Sequence, residues 1–120
     1  MKRFIGERMP IPLTPAVQSG NFLFLSGQVP TRSDGSIPDG IRAQTQLVLE
    51  KLAALLKEAG FDLGDVVKTT VFLRDTKDFD AMNAVYRTFF PKNPPARSCV
   101  QAEVAIPADV EIEAIAVKSA

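Results

Sequence analysis

A chain of 120 residues that is 46% hydrophobic holds enough apolar material for one compact domain, residues 1–120, and leaves no room for a second. Its 14 basic and 14 acidic residues cancel. This argues against a nucleic-acid partner, because phosphate binding needs a concentrated positive surface. An anionic membrane surface is equally unsupported, and no apolar run approaches the roughly 20 residues that span a bilayer. With one cysteine and no secretory signal, we expect a cytoplasmic protein.

The absence of histidine limits the available chemistry. Histidine-based triads and imidazole zinc sites are excluded, so no metal site is expected. Any reaction must use carboxylates, arginine, hydroxyl groups, the single thiol or backbone groups.

The first third of the chain predicts strands separated by a loop. Residues 2–8 are a candidate edge strand, and the prolines between residues 10 and 15 predict a loop after it. Residues 21–29 form an aromatic and aliphatic run that ends at Pro30, which is typical of a buried strand. The Asp-Gly pair at residues 34–35 favours a turn that leads into a short hairpin return.

Two helices and three strands are predicted in the rest of the chain. Apolar residues recur at helical spacing over residues 41–59, with Asp39 as the expected N-cap and Gly60 as the expected C-cap. Further along, the predicted elements are a strand at 66–73, a helix at 79–90, and two strands at 96–105 and 110–118 that form a hairpin. This order favours an α+β two-layer sandwich, with one mixed β-sheet that carries two helices on one face.

Charged side chains lie in both of the last two predicted strands. In extended backbone Arg97 shares a face with Cys99, and Glu111 shares a face with Glu113. A hairpin between these strands would set Arg97 near one of the two glutamates. The pair would then be either an ion pair on a solvated sheet face, or a site in which Arg97 binds a substrate carboxylate while a glutamate moves a proton.

Three other positions could contribute to chemistry. The Ser26-Gly27 pair ends a predicted strand, where glycine permits either close approach of a ligand or a β-bulge. Cys99 lies close to Arg97, but without a histidine base we interpret it as a small buried or pocket-lining thiol. Asn83 is unfavourable inside a helix, so it either caps or orients a loop or is simply exposed.

Four segments of the chain resemble the Rid (YjgF) family. They are residues 21–30 (NFLFLSGQVP), 82–90 (MNAVYRTFF), 94–100 (PPARSCV) and 111–117 (EIEAIAV). The resemblance covers nearly the whole chain, and the last two motifs are highly specific. It implies a chorismate-mutase-like α+β fold and a homotrimer with ligand clefts between neighbouring subunits. It also implies hydrolysis of 2-imino acids such as 2-iminobutanoate and 2-iminopropanoate to 2-keto acids and ammonia.

The resemblance also implies roles for individual residues. Arg97 matches the arginine that holds the substrate carboxylate, and Glu111 matches the glutamate that positions or activates water. Four further residues match positions that line the cleft or its opening: Ser26, Gly27, Cys99 and Asn83. Because an imine carbon is already electrophilic, this chemistry needs orientation and water rather than a covalent nucleophile, a metal or a cofactor.

Two departures from the family pattern leave the substrate open. Leu13 and Pro15 stand where many imine deaminases have tyrosine and glutamine. The segment between Val100 and Glu111 also differs in length, which keeps Glu113 as an alternative to Glu111. A family member that acts on another enamine or imine therefore remains an alternative. So does a non-catalytic trimer that binds small carboxylates or regulates a partner protein.

Overall fold

The computed structural model describes residues 1–118, and these contain six β-strands and two α-helices. The strands are β1 (Lys2–Ile5), β2 (Ala16–Ser19), β3 (Phe22–Gln28), β4 (Val66–Leu73), β5 (Ala96–Gln101) and β6 (Val110–Val117). The helices are α1 (Ile41–Ala59) and α2 (Phe79–Phe89). The strands form one sheet in the order β1-β2-β3-β6-β4-β5, in which β4 and β5 run parallel and the other neighbours antiparallel. The predicted α+β fold with a mixed sheet is confirmed.

The core lies between the two helices and one face of the sheet. Every second residue of β6 is buried toward the helices: Val110, Ile112, Ala114 and Ala116. From α1 the buried face consists mainly of Val48, Leu49, Leu52 and Leu56. The other side of the sheet, which we call the open face, carries the alternate strand residues. It therefore presents Glu111 and Glu113 from β6, together with large apolar side chains from β1 and β3.

The helices begin and end close to the predicted positions. Gly60 terminates α1 with a left-handed backbone (φ 85°), as its lack of a Cβ allows. The prediction that Asp39 caps α1 is wrong, because Gly40 occupies the cap position and makes no side-chain hydrogen bond. The buried Gln44 instead holds the N-terminus of α1 in place, because its Nε2 donates a hydrogen bond to the carbonyl of Pro38 (3.0 Å).

The N-terminal strands differ from the sequence expectation. The edge strand β1 stops at Ile5, and the turn at residues 34–35 leads into no return strand. Strand β2 was not predicted, although Ser19-Gly20-Asn21 is a turn signal and Gly20 has a positive φ of 60°. This turn pairs Ser19 with Phe22 in an antiparallel hairpin.

The predicted hairpin between the last two strands is wrong. Strand β4 lies between β5 and β6, and it pairs in parallel with β5 and antiparallel with β6. Strand β5 also ends at Gln101, so residues 102–109 are free to cross the end of β4. Arg74 fixes this crossing, because Nε donates to the carbonyl of Ala108 (2.9 Å) and Nη2 to that of Ile106 (3.0 Å).

Candidate active site

Arg97 projects from β5 toward helix α2, on the helix side of the sheet. Its Nη1 donates a hydrogen bond to Oδ1 of Asn83 (2.7 Å). Its Cζ lies 4.8 Å from the ring centroid of Tyr86 and 5.7 Å from that of Phe79, both within the range of a cation–π contact. The guanidinium is therefore oriented by one amide and two aromatic rings.

The three contacts of Arg97 come from one face of α2. Phe79, Asn83 and Tyr86 are spaced i, i+4 and i+7, which places them in one row along a helix. This row explains why an asparagine lies inside the helix. Asn83 accepts a hydrogen bond from Arg97 of β5, a contact that neither residue-based interpretation of that position had predicted.

The positive charge of Arg97 is not neutralised by an acidic side chain. Its hydrogen-bond acceptor is a neutral amide, and among residues 1–118 the side-chain ion pairs join Arg74 to Asp109 and Lys77 to Asp75. A partly buried charge without a counter-ion costs free energy unless a ligand supplies one. This environment is suited to binding an anion.

A cavity of about 280 Å³ lies beside the guanidinium. We call it the arginine pocket, and its lining residues are Asn83, Tyr86, Arg87, Phe90, Pro94, Pro95 and Arg97. The rings and prolines supply apolar walls, and the two arginines supply positive charge. A small molecule with one apolar part and one carboxylate would match this lining.

Cys99 lies on the same face of β5 as Arg97 and packs against the hydrophobic core. Burial raises the pKa of its thiol, and the nearby Arg97 charge offsets this only in part. The thiol is therefore protonated at neutral pH and is a poor nucleophile. Its packing agrees with the interpretation of Cys99 as a partly buried thiol.

Glu111 lies on the open face, against the β-bulge that interrupts β3. The pairing of β3 with β6 shifts register between Leu25 and Gln28, and Gly27 lies in this interval. A Cβ atom at position 27 would overlap the Oε2 atom of Glu111. The glycine therefore leaves the space that the carboxylate occupies, and the register shift agrees with the interpretation of Ser26-Gly27 as a β-bulge.

The surroundings of Glu111 favour its protonated form. Partial burial raises its pKa above the ordinary value of 4.5, and the negative charge of Glu113 raises it further. Glu111 also lines a cavity of about 130 Å³ with Phe72 and residues 102–105. A carboxyl group whose pKa is moved toward neutrality can accept and return a proton more readily than an exposed one.

Ser26 holds the loop that carries Leu13. Its hydroxyl donates to the carbonyl of Thr14 (2.6 Å), and its backbone N–H donates to that of Pro15 (2.8 Å). Leu13 and Ser26 line one cavity of about 660 Å³ on the open face, bordered also by Phe4 and Val17. The residue that departs from the family pattern therefore shares a cavity with a predicted site residue.

The predicted site residues form two groups in one protomer. Arg97, Asn83 and Cys99 lie on the helix side of the sheet, whereas Ser26, Gly27 and Glu111 lie on the open face or at the bulge. In the register of the sheet, Arg97 pairs with Thr69 of β4, and Thr69 pairs with Ala114 of β6. The expectation that one chain sets Arg97 beside Glu111 or Glu113 is therefore wrong.

Sequence reasoning missed two residues at the Arg97 group, Tyr86 and Phe79. Tyr86 is a buried residue of α2, where an aromatic ring normally indicates packing alone, and Phe79 is the first residue of the helix and is 42% exposed. The signal that could have identified them is their spacing around Asn83, which puts two rings and an amide in one row.

Comparisons with known proteins first define the class of the protein. A crystal structure from Thermotoga maritima superimposes with a TM-score of 0.95 at 41% identity, and all of both chains is covered. The crystal structure of Escherichia coli TdcF with bound serine superimposes with a TM-score of 0.92 at 37% identity, covering 98% of this chain and 99% of that one. The fold is therefore shared along nearly the whole length.

The sequence comparisons then identify the family. The family model described as Endoribonuclease L-PSP matches residues 8–118. A 2-iminobutanoate/2-iminopropanoate deaminase of Escherichia coli K12 is 43% identical over 127 aligned positions, covering 98% of each chain. A RutC family protein of Pyrococcus horikoshii is 46% identical over 119 positions, covering 93% of this chain and 94% of the relative. The chain belongs to the Endoribonuclease L-PSP family, which is the Rid (YjgF) family.

Neither helix between residues 1 and 118 has the length and apolarity that a bilayer crossing requires.

Proposed function

We propose that this protein hydrolyses 2-imino acids, such as 2-iminobutanoate and 2-iminopropanoate, to 2-keto acids and ammonia. The observation that carries the proposal is the partly buried Arg97, whose charge, among residues 1–118, contacts a neutral amide and two rings but no acidic side chain. A substrate carboxylate supplies the missing counter-charge through paired N–H···O bonds. The deaminase name of the Escherichia coli relative and the serine bound to TdcF support a ligand of amino-acid size.

The proposed active unit is a homotrimer in which neighbouring subunits share each cleft. Arg97 and Glu111 lie on opposite sides of the sheet in one chain, so one protomer cannot present both to one small molecule. The open face exposes Phe4, Phe22 and Phe24 to 65%, 47% and 46%, as expected of a surface that packs against another subunit. In the assembly, Arg97 of one subunit faces Glu111 and Gly27 of the next.

Glu111 acts as the proton carrier in the proposed reaction. A water oxygen bonds to the carbon of the protonated imine while the C=N π electrons move to nitrogen, and Glu111 takes a proton from that water. Glu111 then returns the proton to nitrogen, the C–N bond breaks, and ammonia leaves with the bonding pair. The carbonyl forms as the hydroxyl proton is released to Glu111 or solvent. The chain needs no covalent nucleophile for this sequence.

A coupled assay tests the proposal. Threonine dehydratase generates 2-iminobutanoate, semicarbazide competes for it, and 2-ketobutanoate formation is followed with and without the protein. We expect the protein to accelerate formation, and Arg97→Ala to lower kcat/KM about 10- to 100-fold because a charged hydrogen-bonded contact is lost. Arg42→Ala is the matched control, since Arg42 is an exposed arginine on α1. Full acceleration by Arg97→Ala would refute the proposed mechanism.

The same assay separates the alternatives. If the protein binds 2-ketobutanoate in an Arg97-dependent way but leaves the imine lifetime unchanged, it is a non-catalytic carboxylate-binding protein. If it accelerates hydrolysis of a different imine and not this one, it is a family member with another substrate. The presence of Leu13 in the cavity beside Ser26 favours testing imines with larger apolar side chains as well.

A further inference from the structure

Tyr86 contacts the guanidinium of Arg97 from the helix side of the sheet. The residue is only 6% exposed, and the Arg97 Cζ lies 4.8 Å from its ring centroid. A cation–π contact is stronger when solvent is excluded than at an exposed site. The other ring near Arg97, that of Phe79, is farther away at 5.7 Å and is 42% exposed. Tyr86 therefore provides the stronger of the two ring contacts.

The ring of Tyr86 is itself held by a buried hydrogen bond. Its hydroxyl lies 2.7 Å from Oγ1 of Thr69, and Thr69 is fully buried. Thr69 is also the residue of β4 that pairs with Arg97 of β5. Thr69 is thus linked to Arg97 in two ways. Its backbone pairs with that of Arg97, and its side chain holds the Tyr86 ring that contacts the Arg97 guanidinium.

The rest of the packing restricts the ring further. Phe90 contacts Tyr86 at a centroid distance of 4.8 Å with the planes tilted by 41°. Burial raises the pKa of the Tyr86 hydroxyl, although the Thr69 hydrogen bond and the Arg97 charge act in the opposite direction. The hydroxyl is therefore neutral at physiological pH and cannot serve as a counter-ion that competes with a ligand.

We propose that Tyr86, anchored by Thr69, is a positioning residue that fixes the plane of the Arg97 guanidinium for binding a carboxylate. This rests on the proposed function, in which Arg97 binds the substrate carboxylate. Arginine has a long flexible side chain, and a paired contact with a carboxylate needs its planar fork in one orientation. The ring restricts the position of that fork, and Asn83 fixes its rotation by accepting from Nη1.

Binding of 2-ketobutanoate to the assembled protein tests the inference by calorimetry. We expect Tyr86→Leu to weaken binding about 5- to 30-fold, because the ring under the cation is lost. Tyr86→Phe keeps the ring and should bind more tightly than Tyr86→Leu. The neutral amide of the same keto acid should lose little affinity in Tyr86→Leu, so the preference for carboxylate over amide falls. A general loss of packing would weaken both ligands alike.

Two controls separate positioning from stability. Phe61→Leu removes a buried aromatic ring that contacts Lys118 rather than Arg97, and it should leave the carboxylate preference unchanged. In the unsubstituted protein, NMR should show the side-chain protons of Arg97 shifted upfield by the Tyr86 ring current. A smaller upfield shift should remain in Tyr86→Phe, which keeps the ring but loses its hydrogen bond to Thr69.

The outcomes also separate this inference from the proposed function. If Arg97→Ala leaves 2-ketobutanoate binding intact, the proposed function fails. If Arg97→Ala removes binding while Tyr86→Leu binds normally, only the positioning role fails. Should Tyr86→Leu not fold, Thr69→Val and Tyr86→Phe release the ring from its anchor and should each weaken binding about 2- to 5-fold. Unchanged binding in both, together with no upfield shift, would overturn the inference.

Discussion

The carboxylate of Glu111 is set apart from other acidic side chains of the sheet by its neighbours. It fills the space that Gly27 leaves, lies close to Glu113, and borders a small cavity with Phe72. Burial first, and Glu113 second, raise its pKa. The folded protein therefore releases this proton at a higher pH than the unfolded chain does.

This raised pKa has a definite effect on stability. Between the ordinary pKa and the higher folded value, the unfolded chain has lost the proton and the folded protein retains it. The stability that protonated Glu111 contributes is thus complete below the ordinary value of 4.5 and is lost as the pH rises through the folded value. We expect Glu111→Gln to increase the free energy of urea unfolding at pH 7 more than at pH 4. An equal effect at both pH values would contradict the assignment.

The same titration should affect activity, which we expect to rise with pH while the stability that Glu111 contributes falls. In the proposed reaction Glu111 must be ionised to accept a proton from water, so kcat/KM should fall as the pH is lowered through its raised pKa. Glu113→Gln should move this inflection to lower pH, because it removes one cause of the shift and leaves the carboxylate of Glu111 in place. An inflection that survives in Glu111→Gln would assign the titration to another group.

The extended-backbone pattern predicted which side chains share a face of each strand, but it did not predict how the two strands lie relative to each other. The extended pattern placed Arg97 with Cys99 on one face and Glu111 with Glu113 on one face, as the structure shows. The contact of Tyr86 with Arg97 was not predicted, because a buried ring that packs and a buried ring that supports a cation occur at the same helical spacing. Only the position of β5 relative to α2 distinguishes them.

The bulge in β3 packs closely against Glu111 of β6 because residue 27 is a glycine and has no side chain. A Cβ at position 27 would overlap Oε2 of Glu111 and lie 2.9 Å from its Cδ. We expect Gly27→Ala to destabilise the protein by about 1–3 kcal/mol through overpacking, measured by urea unfolding. It should also lower kcat, because the carboxylate must move.

A double-mutant cycle provides the control for this substitution. In a Glu111→Ala background the carboxylate is absent, so adding Gly27→Ala should cost much less than in the natural sequence. If Gly27→Ala costs the same in both backgrounds, its effect comes from the backbone of the bulge and the proposed fit is wrong.

The order of the strands shows why the site could be only partly predicted. Consecutive strands are usually neighbours, which favoured a hairpin of the last two. The order β4, α2, β5 instead forms a parallel crossover unit, and β6 then pairs with the far edge of β4. The eight residues 102–109 and their hydrogen bonds to Arg74 make this crossing possible. These are contacts between distant segments, and no local pattern reveals them.

The whole molecule presents a sheet with one face covered by helices and the other largely uncovered. We expect sedimentation to give about three times the 13.0 kDa chain mass, because each cleft of the proposed trimer sets the β5 edge of one subunit against the open face of the next. Phe24→Glu places a charge at an exposed position of this face and should shift the mass toward that of the monomer. It should lower the proposed imine-hydrolysing activity in parallel.

Ala54→Glu is the matched control, since it adds the same charge at an exposed position on α1. It should leave both mass and activity unchanged. A natural protein that sediments as a monomer and still hydrolyses imines would refute the shared cleft.

The separation of Arg97 and Glu111 onto opposite sides of the sheet has a consequence for inheritance. In the proposed assembly each chain gives its arginine to one cleft and its glutamate to another. A chain without Arg97 would then disable one cleft while its Glu111 still completes a neighbouring one. When normal and defective copies are made in the same cell, activity should decline in proportion to the defective fraction, so that such an allele is recessive rather than dominant.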